Sequence, residues 1–224
     1  MSAGEYDLVV LVNPNNPTGG RLPADLLRQL LAEAPRRTRV WIDEAYVGYA
    51  GPDQSLAPVA ARSPNVVVCT SMSKMYALSG MRAAYLTSDA ATAETLRRWT
   101  PPWPVSLPAQ LAAVAALRDP DYYEARWAET KKLRAGLAAA LRAVDPRVCV
   151  DEAVANFLLA TLPADGPSAA ELVTECRRQD VYLRDLSPMS PVFQGRTVRV
   201  AVKDPIGNAR IVAAYRTAVR GAAR

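Results

Sequence analysis

The segment Leu8-Val9-Val10-Leu11-Val12 runs directly into Asn13-Pro14-Asn15-Asn16-Pro17-Thr18-Gly19. The first five residues are apolar and largely β-branched, which predicts a buried strand, and the next seven are typical of a turn. The same order recurs where residues 40–42 lead into Asp43-Glu44-Ala45-Tyr46, and where residues 66–69 lead into Ser71-Met72-Ser73-Lys74. Open α/β sheets bind ligands outside the carboxyl ends of their parallel strands, so these three polar motifs predict one binding site.

Strand and helix patterns alternate through the first half of the chain, which predicts an α/β fold. Strands are expected at residues 8–12, 40–42, 65–70 and 83–87, and helices at 24–34, 90–99 and 108–117. The strands lack polar alternation, a pattern typical of a mostly parallel sheet covered on both faces by helices.

The second half has the pattern of a separate α+β unit. A long helix is expected over residues 122–144, followed by strands at 147–150, 157–162, 181–183 and 197–202 and by helices at 168–179 and 206–219. The sequence therefore predicts two domains, residues 1–121 and 122–224.

Composition narrows the classes of chemistry. The chain has no histidine, which excludes Ser-His-Asp and Cys-His nucleophiles and removes the commonest metal ligand. Cys69, Cys149 and Cys176 are widely spaced, so they predict small buried hydrophobic side chains and neither a disulfide framework nor a metal site.

Charge and hydropathy give no sign of a nucleic-acid or membrane partner. The net charge of +5 is spread over short pairs such as Arg36-Arg37, which favours a solvated surface, although a modest attraction for anionic small molecules remains open. No apolar run is long enough to cross a bilayer and the first residues do not have the pattern of a secretory signal, so a cytoplasmic location is expected.

Lysine is rare, since only four of the 27 Lys and Arg residues are lysines: Lys74, Lys131, Lys132 and Lys203. An ammonium group can lose its proton when desolvated, whereas a guanidinium cannot. A lysine just beyond an apolar strand therefore indicates amine chemistry at Lys74; an exposed surface lysine is the alternative.

The ordered set of motifs, followed by Arg82, resembles the class I/II, fold-type I aminotransferases. Within them it is most similar to the histidinol-phosphate aminotransferases, through Asn13 to Gly19, Ala155-Asn156-Phe157 and Tyr182-Leu183-Arg184-Asp185. The resemblance implies a pyridoxal 5'-phosphate cofactor, a large cofactor-binding domain represented here in part by residues 1–121, and a small domain at 122–224.

The resemblance also implies the central roles at the cofactor. Lys74 matches the lysine that bonds to the cofactor aldehyde and later moves the substrate Cα proton. Asp43 matches the carboxylate that keeps the ring nitrogen protonated. Tyr46 and Asn16 match the two donors to the ring oxygen, and the Asn16–Pro17 bond is expected to be cis as in the family.

Phosphate and substrate contacts are implied in the same way. Arg82, Ser71 and Ser73 match the phosphate site. The family usually has glycine where this chain has Ala84, which costs little only if the local φ is negative. Arg199 matches the arginine that binds the substrate α-carboxylate, and Arg184 is a candidate for a distal, anionic part of the substrate.

Several functions stay open at this point. The family's pattern implies transfer of an amino group between an amino acid, or a phosphorylated amine, and a 2-oxo acid, by a homodimer to which residues 101–106 contribute. Decarboxylase or lyase relatives share the motifs. Because the resemblance covers only the rear part of the family's pattern, we expect an absent front half and an open sheet edge; a catalytically silent remnant or partner-binding module is the alternative to an enzyme.

Overall fold

The computed structural model describes residues 6–151 and 153–222, which form two four-stranded sheets with flanking helices. Two compact units are found: Met1–Asn15 with Arg21–Trp127, and Asn16–Gly20 with Ala128–Arg224. The division of the sequence into residues 1–121 and 122–224 stays a prediction. The Trp127 indole Nε1 donates to the Met75 carbonyl at 2.9 Å, a contact within the first unit.

The first unit alternates strands with helices. Its strands are β1 (Leu8–Val12), β2 (Arg39–Asp43), β3 (Val66–Ser71) and β4 (Ala84–Thr87). Its helices are α1 (Ala24–Glu33), α2 (Ala57–Ala60), α3 (Met72–Met75), α4 (Ala90–Trp99) and α5 (Leu107–Leu117), with 3-10 turns at Val47–Tyr49, Pro52–Gln54 and Ser79–Met81. Helix α6 (Pro120–Val144) begins in this unit and continues into the second.

The sheet of the first unit is mixed rather than wholly parallel. Strands β1, β2 and β3 are parallel and adjacent in that order, but β4 is antiparallel to β3. The reversal has a local cause, since the Met72 amide donates to the Ala83 carbonyl at 3.1 Å. The chain therefore enters β4 beside the point where it leaves β3.

The expectation of a sheet covered on both faces is wrong for β1. One face of the sheet packs on a core formed by α1 and by Leu56 and Ala60. On the other face, Leu8, Val10 and Val12 are exposed, with 58% of Val10 accessible to solvent. Strand β1 pairs only with β2 among the described residues, so its outer edge also offers unpaired backbone groups.

The second unit is an antiparallel sheet covered by helices. Its strands are β5 (Cys149–Asp151), β6 (Phe157–Thr161), β7 (Arg184–Asp185) and β8 (Thr197–Ala201), in the order β5-β6-β8-β7. Helices α7 (Ala169–Arg177) and α8 (Pro205–Ala222) and the end of α6 share its core, and a 3-10 turn covers Pro191–Phe193. The strand predicted at residues 181–183 is wrong: pairing with β8 starts only at Arg184.

The three cysteines have different surroundings. Cys176 is buried as expected and Cys69 is half-buried, but Cys149 is exposed, which corrects the prediction for that residue. Cys149 lies on β5, a strand at the edge of its sheet. Only the middle residue, Val150, is buried there, and the side chains on either side of it point to solvent.

Candidate active site

The carboxyl ends of β1, β2 and β3 lie at one edge of the first sheet. The register places Val12 beside Asp43 and Asp43 beside Cys69. Backbone hydrogen bonds continue beyond the strands, from the Asn13 amide to the Asp43 carbonyl at 2.9 Å and from the Glu44 amide to the Cys69 carbonyl at 2.8 Å. The backbone thus brings the starts of the three predicted motifs together.

Lys74 lies in the short helix α3, immediately after β3. The helix begins at Met72, with the Ser71 hydroxyl as its cap, accepting from the Ser73 amide at 3.3 Å. The Tyr49 hydroxyl donates to the Lys74 carbonyl at 3.0 Å and so holds the other end of the turn. The Lys74 side chain is exposed, which leaves its amine accessible to a ligand.

Asp43 is the last residue of β2 and is half-buried. Its Oδ1 accepts from the Ala45 amide at 2.9 Å, while carboxylates have further acceptor positions for another donor. Burial, with the nearby Asp43 carboxylate as a second cause, raises the pKa of the Cys69 thiol. Tyr46 follows Asp43 as a buried residue at the start of the 3-10 turn.

Arg82 lies just before β4, next to the start of α3. Its backbone adopts φ +56°, and its Nη1 donates to the Ser79 carbonyl at 2.9 Å. The side chain is exposed and the guanidinium keeps other N–H donors. The positive φ falls on Arg82, whereas Ala84 is in extended strand geometry, so the alanine in place of the family's glycine causes no backbone strain there.

In the second unit, Asn16 and Arg199 contact each other directly. Arg199 Nη1 donates to Asn16 Oδ1 at 2.6 Å, and the Arg199 guanidinium carbon lies 5.1 Å from the centre of the Phe157 ring. The Asn16–Pro17 peptide bond is cis, as expected. Asn16 thereby uses its oxygen on Arg199, which leaves the amide N–H groups to donate to a ligand.

Arg184 lies opposite Arg199 in the ladder between β7 and β8. Residues that pair in an antiparallel ladder place their side chains on the same face of the sheet, and like charges in this position repel. Arg184 is exposed, and Arg199 is half-buried. Two neighbouring guanidinium groups favour a ligand with negative charge.

Phe157 and Tyr49 both support predicted site residues, although the sequence alone assigns a role to neither. Phe157 belongs to the Ala155-Asn156-Phe157 motif. Its spacing from Leu159, the residue that pairs with Arg199, places it on the same face of β6, but the strand register that makes this meaningful is set by the fold. Tyr49, whose pKa is raised to about 12 by burial and by nearby Tyr46, has no corresponding sequence signal.

Among residues 6–151 and 153–222, no three side chains of Cys, Asp or Glu lie close enough together to bind a metal ion. Within the same ranges, no helix combines the length and apolar character that a membrane crossing requires.

The donor set in the first unit fits pyridoxal phosphate. An accessible primary amine can bond to the aldehyde, and a carboxylate with a spare oxygen can meet the ring nitrogen. The Ser71 hydroxyl accepts from an amide and retains its own hydrogen for a phosphate oxygen, next to the cationic Arg82. These groups are supplied by Lys74, Asp43, Ser71 and Arg82.

The chain belongs to the class I and II aminotransferase family. The family model matches residues 2–214, which is nearly the whole chain. The predicted α/β fold is confirmed by solved structures that resemble it.

Individual relatives agree with this assignment. Over 217 residues the chain is 36% identical to histidinol-phosphate aminotransferase 1 of Cupriavidus pinatubonensis, covering 95% of this chain and 56% of the relative. The histidinol-phosphate aminotransferase of Sinorhizobium meliloti, solved in complex with pyridoxal-5'-phosphate, superposes with a TM-score of 0.85 at 24% identity, over 96% of this chain and 58% of the other. A decarboxylase from Sulfurospirillum multivorans reaches a TM-score of 0.82 at 25% identity, over 95% and 62%.

The chain spans about half the length of the curated relatives it matches.

Proposed function

We propose that the protein is a pyridoxal-phosphate-dependent aminotransferase. The observation that carries this proposal is the placement of Asn13, Asp43 and Ser71 at one edge of a mixed sheet, with Lys74 in the next helical turn, in a chain of this family. The edge is the position at which α/β sheets bind their ligands.

Bound pyridoxal phosphate supplies an electron sink for the carbon that loses its proton. The Lys74 amine would carry the proton between the substrate Cα and the cofactor, a role that needs an amine within direct reach. The Asp43 carboxylate holds a proton on the ring nitrogen, because a negative charge favours the protonated form of its partner.

Polar side chains around these two residues hold the cofactor. Arg82 pairs with the phosphate as a planar guanidinium, and Ser71 and Ser73 donate hydroxyl hydrogen bonds to it. The resemblance implies Tyr46 and the Asn16 amide as donors to the ring oxygen, where each would favour the anionic form.

The substrate is an anion in this proposal. Arg199 binds the α-carboxylate of an amino acid or of a 2-oxo acid, for which its planar fork is suited. Arg184, its cross-strand neighbour, binds a distal acidic group such as a phosphate or a second carboxylate. The relative from Cupriavidus pinatubonensis, whose name specifies histidinol phosphate, supports a phosphorylated amine as one substrate.

Spectroscopy of the two half-reactions tests the proposal. Mixing the chain with pyridoxal phosphate should produce a visible absorbance band that is absent in Lys74→Ala. An amino donor should bleach the band, and a 2-oxo acid should restore it. A band that does not depend on Lys74, or that no member of a donor panel bleaches, would contradict the proposal.

Decarboxylation is the second candidate, because the decarboxylase from Sulfurospirillum multivorans has the same fold over 95% of this chain. The products separate the two reactions. Release of carbon dioxide without formation of a 2-oxo acid from the amino donor would favour decarboxylation.

Homodimer formation is part of the proposal. Trp99 and Trp103 are 84% and 91% exposed, and Leu107 and Leu111 are also exposed on the helix that follows. Apolar surface of this kind marks an interaction site. A second copy of the chain would cover it, which sedimentation velocity can measure.

A cytoplasmic location also belongs to the proposal. The three cysteines are all free in the described structure, a state that a reducing compartment maintains.

A further inference from the structure

Phe157 lies between two groups that the proposed reaction needs. It is 3% exposed at the start of β6, opposite Ala201 of β8, so Arg199 is its diagonal neighbour on the same face of the sheet. Diagonal neighbours are within reach when one side chain is aromatic and the other long. The Arg199 guanidinium carbon lies 5.1 Å from the ring centre, within the range of a cation–π contact.

The Phe157 ring also packs against the turn that carries Asn16. A Cβ built on Gly19 would lie 3.3 Å from Phe157 Cε2 and 2.4 Å from the Ala153 Cβ, so the ring and the turn are closely packed. The Val154 amide donates to the Gly19 carbonyl at 3.0 Å and fixes the turn beside β6. Residues Asn16–Gly20 accordingly belong to the second compact unit together with Phe157 and Arg199.

We propose that Phe157 is a positioning residue that holds Arg199 and the Asn16 turn in one fixed arrangement before a carboxylate binds. This inference rests on the carboxylate-binding role of Arg199 under the proposed function. A long arginine side chain has many rotamers, and ordering one during binding reduces affinity. The ring face on one side and Asn16 Oδ1 on another restrict Arg199 beforehand, while other N–H donors stay available to the ligand.

Carboxylate binding can be measured without cofactor or turnover. The probe is sodium acetate, titrated into the full chain while the Arg199 Nε–H resonance is followed by NMR. Phe157→Leu removes the aromatic face and keeps an apolar side chain, and Phe157→Tyr keeps the face. Leu158→Met is the matched control, since buried Leu158 is the next residue of the strand and faces the core on the other side.

The wild-type Nε–H resonance should show the upfield ring-current shift of a group above an aromatic face. Phe157→Leu should lose that shift and bind acetate about 2- to 10-fold more weakly, the cost of ordering one freed side chain. Phe157→Tyr and Leu158→Met should match the wild type. If the tyrosine variant does not fold, the comparison of Phe157→Leu with Leu158→Met still tests whether the aromatic ring positions Arg199.

Equal acetate affinity in Phe157→Leu and the wild type would overturn the positioning role. So would a wild-type Arg199 resonance that does not respond to acetate. Failure of transamination alone would leave the NMR result unchanged, so the two proposals fail separately.

Discussion

At the scale of single residues, Glu44 shows how one buried acid affects stability. It is 1% exposed, directly after Asp43, and its carboxylate accepts from the Leu56 amide at 2.6 Å and the Ser55 hydroxyl at 2.7 Å. Burial outweighs these two hydrogen bonds and raises the pKa of Glu44 above its ordinary 4.5. The folded state therefore binds the proton more tightly than the unfolded chain does.

The expected pH dependence follows from that direction. The contribution of Glu44 to stability is fully present below pH 4.5 and is lost as the pH rises through the folded-state pKa. Glu44→Gln, which cannot ionise, should remove this loss. Urea unfolding at several pH values measures it, with Glu33→Gln, an exposed acid, as the control. An identical pH profile for Glu44→Gln and the wild type would contradict the account.

Gly19 is required by both its conformation and its surroundings. Its φ is +67°, and an added Cβ would overlap the Ala153 Cβ at 2.4 Å. Gly19→Ala should lower the free energy of unfolding by about 1–3 kcal/mol, the usual cost of such strain. Gly136→Ala is the control with opposite sign: it lies in helix α6 with open space around it and should stabilise by about 0.5–1 kcal/mol. Equal effects of the two variants would show that the turn does not need glycine.

At the scale of secondary-structure elements, local sequence predicts helices and apolar strands well. The predicted helix at residues 90–99 coincides with α4, because Asp89 caps its first turn and Pro101 follows its last. Strand direction is different, since the antiparallel β4 depends on hydrogen bonds at the turn before it. The limits of β7 are set by its pairing with β8. Val181 and Leu183, just before it, are buried in the core but form no strand pairing with β8.

Some parts of the candidate site can be predicted from local sequence and others cannot. The motifs at Asp43 and Lys74 are predictable because each directly follows an apolar strand. The contact between Arg199 and Asn16 joins residues 183 positions apart, and no local pattern encodes it. The role of Phe157 depends on that contact, so it emerged only from the folded chain.

Arg134 links helix α6 to the segment before β6, in addition to the core contacts of the helix. Arg134 Nη1 donates to the carbonyls of Val154 and Ala155 at 2.8 and 2.9 Å, just before β6. Arg134→Met keeps the apolar stem but leaves both carbonyls without this donor, so the free energy of unfolding should fall by about 1–3 kcal/mol. Lys132→Met, at an exposed position of the same helix, should change it little. Urea unfolding compares the two, and an equally small effect of Arg134→Met would contradict this role.

At the scale of the whole molecule, we expect the exposed strand β1 to promote association of the chain. An apolar edge strand without charge, proline or bulge is a template for pairing with another chain. Val10→Lys should reduce concentration-dependent association of the chain, because a charge on the edge opposes such pairing. Val192→Lys changes an equally apolar residue, 72% exposed in the second unit, and should leave association unchanged. Light scattering over a concentration series measures both; an equal reduction by the two variants would mean that net charge, not the edge, is responsible.

The account as a whole depends on one amine. Incubation with pyridoxal phosphate, reduction with borohydride and peptide mass spectrometry would identify the lysines that bond to the aldehyde. We expect the pyridoxyl group on Lys74, and little on Lys131, Lys132 and Lys203, at a cofactor concentration equal to that of the protein. A label spread evenly over the four lysines, or concentrated on one of the other three, would contradict the assignment of the active site.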